Sequence, residues 1–264
     1  MFEVFVSDIH YPYHDVTAEL LAAAIVRKLQ PDIVYFGGDI LDFYAVSSFD
    51  RDPARHTSFQ KDIDCAVENL RVFRECAPNA RMFLHEGNHE SRLTRYTWRK
   101  APELASARSL TVPALLGLQE LEMQFIPQGR IYKIGELNHI HGNEIAGGSM
   151  YPARNIYLKA PGNIICGHYH KLQPYYHTDL DGQMRGAWVN GCLCTLTPEY
   201  VLRPQWTQGL TLIDYAKSGL FHVDQIPMFR HKNKLCAFVR GELLTVPLKK
   251  QPSIVDKLAT EGDV

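Results

Sequence analysis

Aspartate, histidine and asparagine recur in five short segments of this 264-residue chain: Asp8-Ile9-His10, Gly38-Asp39-Ile40-Leu41-Asp42, Gly87-Asn88-His89-Glu90, His141-Gly142 and Gly167-His168-Tyr169-His170. Each lies at the end of an apolar run. Divalent transition ions of borderline hardness, such as Mn²⁺, Fe²⁺ or Zn²⁺, take ligands of these types. Together the segments offer seven candidate ligands, enough for two ions. Two cations about 3.5–4 Å apart can clamp phosphoryl oxygens and activate water for in-line attack, so the chemistry suggested is phosphoester hydrolysis.

Spacing adds to residue type. Asp8 and His10 are two positions apart, so on an extended strand end both side chains point the same way, and His168 and His170 repeat the pattern. Neighbouring glycines permit close backbone approach and positive φ where loops crowd around an ion. A lone Asp-x-His pair is usually a packed or solvated polar pair. Five such segments at the ends of apolar runs are hard to obtain from that background. Cys192-Leu193-Cys194 has the look of a soft-metal pair, but no second pair accompanies it. The cysteines read instead as buried, reduced thiols.

Strand ends must position these residues, as in other α/β sites. Residues 2–7 read as a strand running into Asp8. Asp15 is placed to cap a helix over 16–29, with Leu20, Leu21, Ala24, Ile25 and Leu29 as its apolar face and Pro31 as its stop. Ile33-Val34-Tyr35-Phe36 is a second strand, and Gly37-Gly38 turns the chain into Asp39. This β-helix-β order begins a parallel sheet. Residues 43–57 lack periodicity and read as a loop over the site. Ile63, Val67, Leu70 and Phe73 predict a helix over 58–77. Met82-Phe83-Leu84-His85 leads as a strand into Asn88, and a helix from near Glu90 carries Arg92, Arg95, Arg99 and Lys100. Residues 101–129 read as a further helical excursion. Runs at Leu137–His141 and Asn163–Cys166 end at further candidates. From about 184 the pattern is strand-rich, with hairpin turns at 217–219 and 240–241. The predicted class is α/β: two mixed β-sheets packed face to face, with helices on the outer sides.

Composition narrows the partners. A formal net charge of −1 provides no global field for nucleic acid or membrane. The first residues are too short and too early acidic for a signal peptide, and no apolar stretch nears the roughly 18 residues of a membrane span. A cytoplasmic protein is expected.

In form and order the five segments resemble the signature of the calcineurin-like metallophosphoesterases: D-x-H, G-D-x-x-D, G-N-H-D/E, H-G and G-H-x-H. All five are complete, over residues 8–170. The resemblance implies a four-layer α/β/β/α sandwich as a single domain over 1–248, with a helical cap around 90–129 and a mobile polar tail over 249–264. It implies two divalent ions, Mn²⁺ foremost, with Fe²⁺, Zn²⁺ or Ni²⁺ as alternatives. Asp8, His10 and His170 match the first ion's ligands, Asp39 the carboxylate that bridges both, and Asn88, His141 and His168 the second ion's ligands. His89 matches the histidine that stays off the metals and faces the substrate, and Asp42 matches its carboxylate partner. His139 competes with His141, but only His141 precedes the motif's glycine, so His139 reads as a packed or supporting residue.

The family's protein phosphatases continue the second segment with an arginine that binds phosphate, whereas Phe43-Tyr44 follow Asp42 here. The expected activity is therefore a phosphodiesterase, on nucleotide or nucleic-acid diesters. A phosphomonoesterase acting on phosphoproteins or small metabolites is the rival. Arg92, Arg95 and Arg154 are candidate phosphate receptors, and Tyr96 and Trp98 within the basic stretch 92–100 offer part of a nucleic-acid surface. Some members of the superfamily keep the fold, lose catalysis and act as interaction scaffolds. Those usually lack a ligand or the histidine equivalent to His89, and this chain retains every one.

Overall fold

The computed structural model describes residues 1–50, 58–145, 150–198 and 204–249. Residues 250–264 of the tail expected over 249–264 and the 51–57 part of the expected loop lie outside the described residues. Strands β1 (Phe2–Val6), β2 (Ile33–Phe36), β3 (Arg81–His85) and β4 (Met123–Ile126) pair in parallel in chain order. A second, mixed sheet is formed by β5 (Tyr132–Ile134), β6 (Leu137–His139), β7 (Ile164–Cys166), β8 (Gln173–Thr178) and β9 (Met184–Val189), in the order β5-β6-β7-β9-β8. The chain then returns to the first sheet. Strands β10 (Gly209–Tyr215) and β11 (Phe221–Pro227) extend it antiparallel beyond β1, giving six strands.

Alternation along the strands builds the layers. Phe5, Ile33, Tyr35, Phe83 and Ile213 of the six-stranded sheet meet Ile134, Leu137, Ile165 and Trp188 of the five-stranded one. Their neighbours Val4, Val6, Val34, Phe36, Met82 and Leu84 face the other way, onto helices α1 (Val16–Leu29) and α2 (Phe59–Cys76). Helices α3 (Ser91–Lys100) and α4 (Val112–Leu115) follow β3, and α5 (Pro152–Lys159) covers the far face of the five-stranded sheet through Ala153, Ile156 and Tyr157. This is the predicted α/β sandwich, helix on sheet on sheet on helix. His139, buried between the sheets, lies 2.9 Å from Glu3 through Nε2, and the Tyr215 hydroxyl donates to the other Glu3 oxygen. It is a packed residue that ties the two sheets together.

Two expectations need correction, and two strands were not foreseen. Residues 101–129 are not uniformly helical, because Met123–Ile126 form β4 at the sheet edge. The face of α1 is rotated from the one predicted: Leu20 and Ala24 are exposed, whereas Leu21, Ala22, Ile25 and Val26 are buried. The cause is a third, antiparallel sheet of β12 (Phe229–His231), β13 (Lys234–Val239) and β14 (Glu242–Pro247). Its Leu235, Ala237 and Val239 join the same core as α1, so that helix is covered from two sides. Finally, β5 and β8 are short or mostly exposed and carry little apolar signal. Local chemistry was otherwise followed. The Asp15 carboxylate accepts the N–H groups of Thr17 and Ala18 to cap α1, and Arg240 and Gly241 both take positive φ in the β13–β14 turn.

Candidate metal centre

All five segments meet at one end of the two sheets. Asp8 and His10 follow β1, Asp39 and Asp42 follow β2, Asn88 and His89 follow β3, His141 follows β6, and His168 and His170 follow β7. Four three-donor groups form there among the described residues; His10, Asp42 and His89 make one, His170, Cys192 and Cys194 another, and the remaining two consist of predicted ligands alone. Ligand atoms of Asp8, His10 and His170 lie within 4.8 Å of one another, as do those of Asp39, His141 and His168. His170 Nε2 is 3.3 Å from Asp8 Oδ1 and 3.2 Å from His10 Nε2. Asp39 Oδ2 is 3.2 Å from His141 Nε2 and 4.0 Å from His10 Nε2, so it faces both groups. Asn88 Oδ1 is 3.2 Å from His141 Nε2 and completes the second group.

The convergence is reached by an unexpected backbone. β1 ends at Val6, and Asp8 and His10 take φ of 56° and 57° rather than an extended conformation. Asp39, His168 and His170 are also left-handed, with φ of 53°, 69° and 56°. Each such residue costs of order 1–3 kcal/mol, a cost that the surrounding structure must outweigh. Interlocked loops supply the support. The Asp8 N–H donates to Gly38 O, the His10 N–H to Asp39 O, and the His168 N–H to the Asp8 carboxylate. Gly38 and Gly87 allow the approach, since a Cβ on Gly87 would lie 2.3 Å from Asp39 Oδ1.

Glu90 is the buried pin of the site. Oε1 accepts the N–H groups of Ile40 and Leu41, and Oε2 accepts those of Asp39 and Gly87. One carboxylate thus locks the Asp39 loop to the Asn88 loop. Burial, reinforced by the Asp39 charge, pushes its carboxyl up to about 7, and the donated N–H bonds pull the other way. The sequence motif marks Glu90 as a family letter without disclosing this function.

Electrostatics suit a cation site. Burial opposes charge on Asp39 and Asp8, yet their histidine neighbours, His141 and His170 foremost, hold both carboxyls below the usual carboxylate range. Burial likewise opposes charge on His141 and His170, but Asp39 and Asp8 push them up to about 10. Burial and His141 push His168 down to about 4. Buried oxygen donors of negative charge, interleaved with imidazoles, are the donor chemistry that divalent ions require.

Beside this cluster, His89 Nδ1 is 3.0 Å from the Asp42 carbonyl and 3.2 Å from Asp42 Oδ1. Asp42 Oδ1 is also 3.2 Å from His10 Nδ1, so one carboxylate orients His10 and His89 together. Burial opposes ionisation of Asp42, but bonds from His10 and His89 hold it well below the usual range. Burial disfavours charge on His89, and Asp39 and Asp42 more than compensate, raising it.

Of the three candidate arginines, only Arg92 is brought to the site. Its guanidinium donates to the Asp42 carbonyl at 2.8 Å and lies 3.1 Å from His89 Nε2. Arg95, one turn on, is exposed and acts on Glu86. Arg154 is exposed on α5, and none of its contacts among the described residues reaches the cluster. Two features escaped the sequence reading. Trp206 sets its ring 4.3 Å from that of His170, tilted by 58°. Cys192 and Cys194, both free thiols, gather around His170 as a third donor, with Cys194 Sγ 3.7 Å from His170 Nδ1. Their spacing was visible in the sequence, but the histidine that joins them was not.

The family model for calcineurin-like phosphoesterases matches residues 4–182, and the chain belongs to that family. Membership implies divalent metal ions, and the donor groups above fit them. No curated protein sequence matches the chain. Among solved structures, similarity extends to a wild-type Vps29 complexed with Zn²⁺ from Entamoeba histolytica, at 14% identity and a TM-score of 0.43, covering 94% of this chain and 100% of that one. The phosphoesterase Yfce from E. coli is similar at 10% identity and a TM-score of 0.42, with coverage of 94% and 100%. A dimetal phosphatase from Danio rerio is similar at 12% identity and a TM-score of 0.40, with coverage of 94% and 99%. At identities this low, the functional assignment stands on the residues of the chain itself. No helix among the described residues is long and apolar enough to cross a membrane.

Proposed function

We propose that this chain is a phosphodiesterase that works with two divalent ions. The observation that carries the reading is the pair of three-donor groups facing Asp39, with His89 held on Asp42 beside them. Asp8, His10 and His170 would hold one ion, Asn88, His141 and His168 the other, and Asp39 both. When bound, such ions supply Lewis-acid polarisation of phosphoryl oxygens and a water acidic enough to attack near neutrality. Mn²⁺ suits the mixture of carboxylate, amide and imidazole donors, with Fe²⁺, Zn²⁺ and Ni²⁺ as rivals. Buried free thiols support a reducing, cytoplasmic setting.

The chain's own residues do the rest. Asp42 fixes the His89 ring through Nδ1 and leaves Nε2 facing the cluster, 3.9 Å from Asp39 Oδ2. Nε2 accepts from Arg92 in this arrangement, and once the guanidinium moves onto the substrate Nε2 takes up a proton from solvent that it can deliver to the departing oxygen. Arg92 rests against Nε2 and the Asp42 carbonyl. A phosphoryl oxygen is a stronger acceptor than either and draws the guanidinium onto the substrate. Phe43 occupies the position where the family's protein phosphatases place a phosphate-binding arginine. It is fully buried and stacked on Phe59 at 5.0 Å. The single guanidinium in contact with the site, among the described residues, matches the one charge of a diester better than the roughly −1.5 to −2 of a monoester.

Steady-state rates of the Mn²⁺-loaded chain on matched phosphate monoesters and diesters test this reading. A preference for the diester is expected, and a preference for phosphoprotein or metabolite monoesters would reverse it. Arg92→Ala should raise KM for the diester roughly 10- to 100-fold, as expected for a lost charged hydrogen bond. An unchanged KM would remove Arg92 from substrate binding.

A further inference from the structure

Building on the phosphodiesterase reading, we propose that the substrate is a single-stranded nucleic acid whose backbone runs from His89 along the outer face of α3. The helix begins two residues after His89 and has the sequence SRLTRYTWRK, with four basic and no acidic side chains. Leu93 and Thr97 turn inward and are buried. At 3.6 residues per turn, Arg92, Arg95 and Arg99 fall within about 60° of arc on the opposite side. Trp98 and Tyr96 flank that stripe and are 65% and 38% exposed. Their exposure among arginines has a use when bases stack on them.

The direction of the helix sets the class of ligand. Arg92 touches His89 and the Asp42 carbonyl, so one end of the stripe is already at the reacting centre. Arg99 lies seven residues on, about 10 Å along the axis. Successive phosphates of a strand are at least about 3.4 Å apart along its axis, so the stripe reaches beyond one nucleotide and spans at most about three phosphates. A mononucleotide bound at Arg92 does not reach Arg99, whereas a strand does. Unpaired bases offer their faces to Trp98 and Tyr96, and those of a duplex do not. A membrane-binding helix would present a contiguous apolar face, whereas the apolar side of α3 is turned into the protein.

The test compares the Mn²⁺-loaded full chain with Trp98→Ala and Arg99→Ala on two substrates, a single-stranded oligothymidylate and bis-p-nitrophenyl phosphate. Each variant should lose roughly 10-fold or more in kcat/KM on the oligonucleotide, as expected for one stacked base or one phosphate contact. On the small diester each should stay within about twofold, because both positions are exposed and distant from the reacting groups. In binding measured by anisotropy under chelation, Arg99→Ala should lower the slope of log affinity against log salt by about 0.7. Equal effects on both substrates would overturn the proposal. So would oligonucleotide affinity unchanged in both variants while binding to phosphatidylserine vesicles, or self-association measured by sedimentation, is lost. Failure of the wild type to hydrolyse the small diester removes the underlying reading. Hydrolysis of the small diester with no α3 effect on the oligonucleotide removes this proposal alone.

Discussion

His89→Ala is expected to lower kcat by about 10²–10⁴-fold, the usual contribution of a positioned general acid, while the metal content of the protein stays unchanged. The two halves of this result follow from different contacts. The His89 side chain is held on Asp42 through Nδ1, and it lies outside the donor groups formed by Asp8, His10 and His170 and by Asp39, His141 and His168. Its backbone N–H donates to Asp39 Oδ1, a bond that alanine keeps. The loop therefore retains its anchor to the central carboxylate while the proton donor is lost. Leaving groups sharpen the test. A p-nitrophenolate departs with little help, whereas an alkoxide needs a proton, so the loss should be larger for an alkyl diester. Elemental analysis of the variant alongside rates on both diesters checks this. Loss of metal in parallel with loss of rate would make His89 a ligand instead.

Glu90→Gln is expected to destabilise the protein markedly, conservative though the change is. The glutamate oxygens accept four backbone N–H groups, two on each oxygen. Glutamine keeps one oxygen and turns an NH₂ group against the other two donors. Each buried N–H left unmade costs about 1–3 kcal/mol. The loss is a large part of the 5–15 kcal/mol that typically holds a domain together. The melting temperature should drop by roughly 10 °C. The Asp39 loop and the Asn88 loop would also lose their common anchor, so Mn²⁺ affinity should decline together with stability. Calorimetry and metal titration measure the two effects. A variant that melts with the wild type would show that the four bonds contribute little.

Much of the site could be read from the chain because two-metal chemistry tolerates few residue types. Residue type and glycine context marked the five segments, their resemblance to the family signature singled out Asp8, His10, Asp39, Asn88, His141, His168 and His170, and all of these converge. Parallel strands were legible from apolar runs that open after the helix stops Pro31 and Pro78 and close at the glycines 37–38 and 87. The conformation of the ligands was not. Spacing two apart suggested extended strand ends, whereas five ligands sit at positive φ. Asp, Asn and His are the non-glycine types most tolerant of that region, which is the one local clue. The other misses are tertiary. Met123–Ile126 joins a sheet edge that no local pattern announces, and the face of α1 depends on a sheet built more than two hundred residues later. Arg92 and Arg95 look equivalent in sequence. Only the fold separates them, since Arg92 donates to the Asp42 carbonyl whereas Arg95 is exposed.

The central claim is that Asp39 serves two ions at once, and Asp39→Asn tests it most directly. Bound Mn²⁺ and diester hydrolysis should be measured together on the wild type and the variant after full chelation and reloading. The account predicts two ions per chain in the wild type, no hydrolysis under chelation, and in Asp39→Asn both a failure to hold the pair and a rate lower by at least about 10²-fold. Hydrolysis that survives chelation, or an Asp39→Asn protein as active as the wild type, would contradict it.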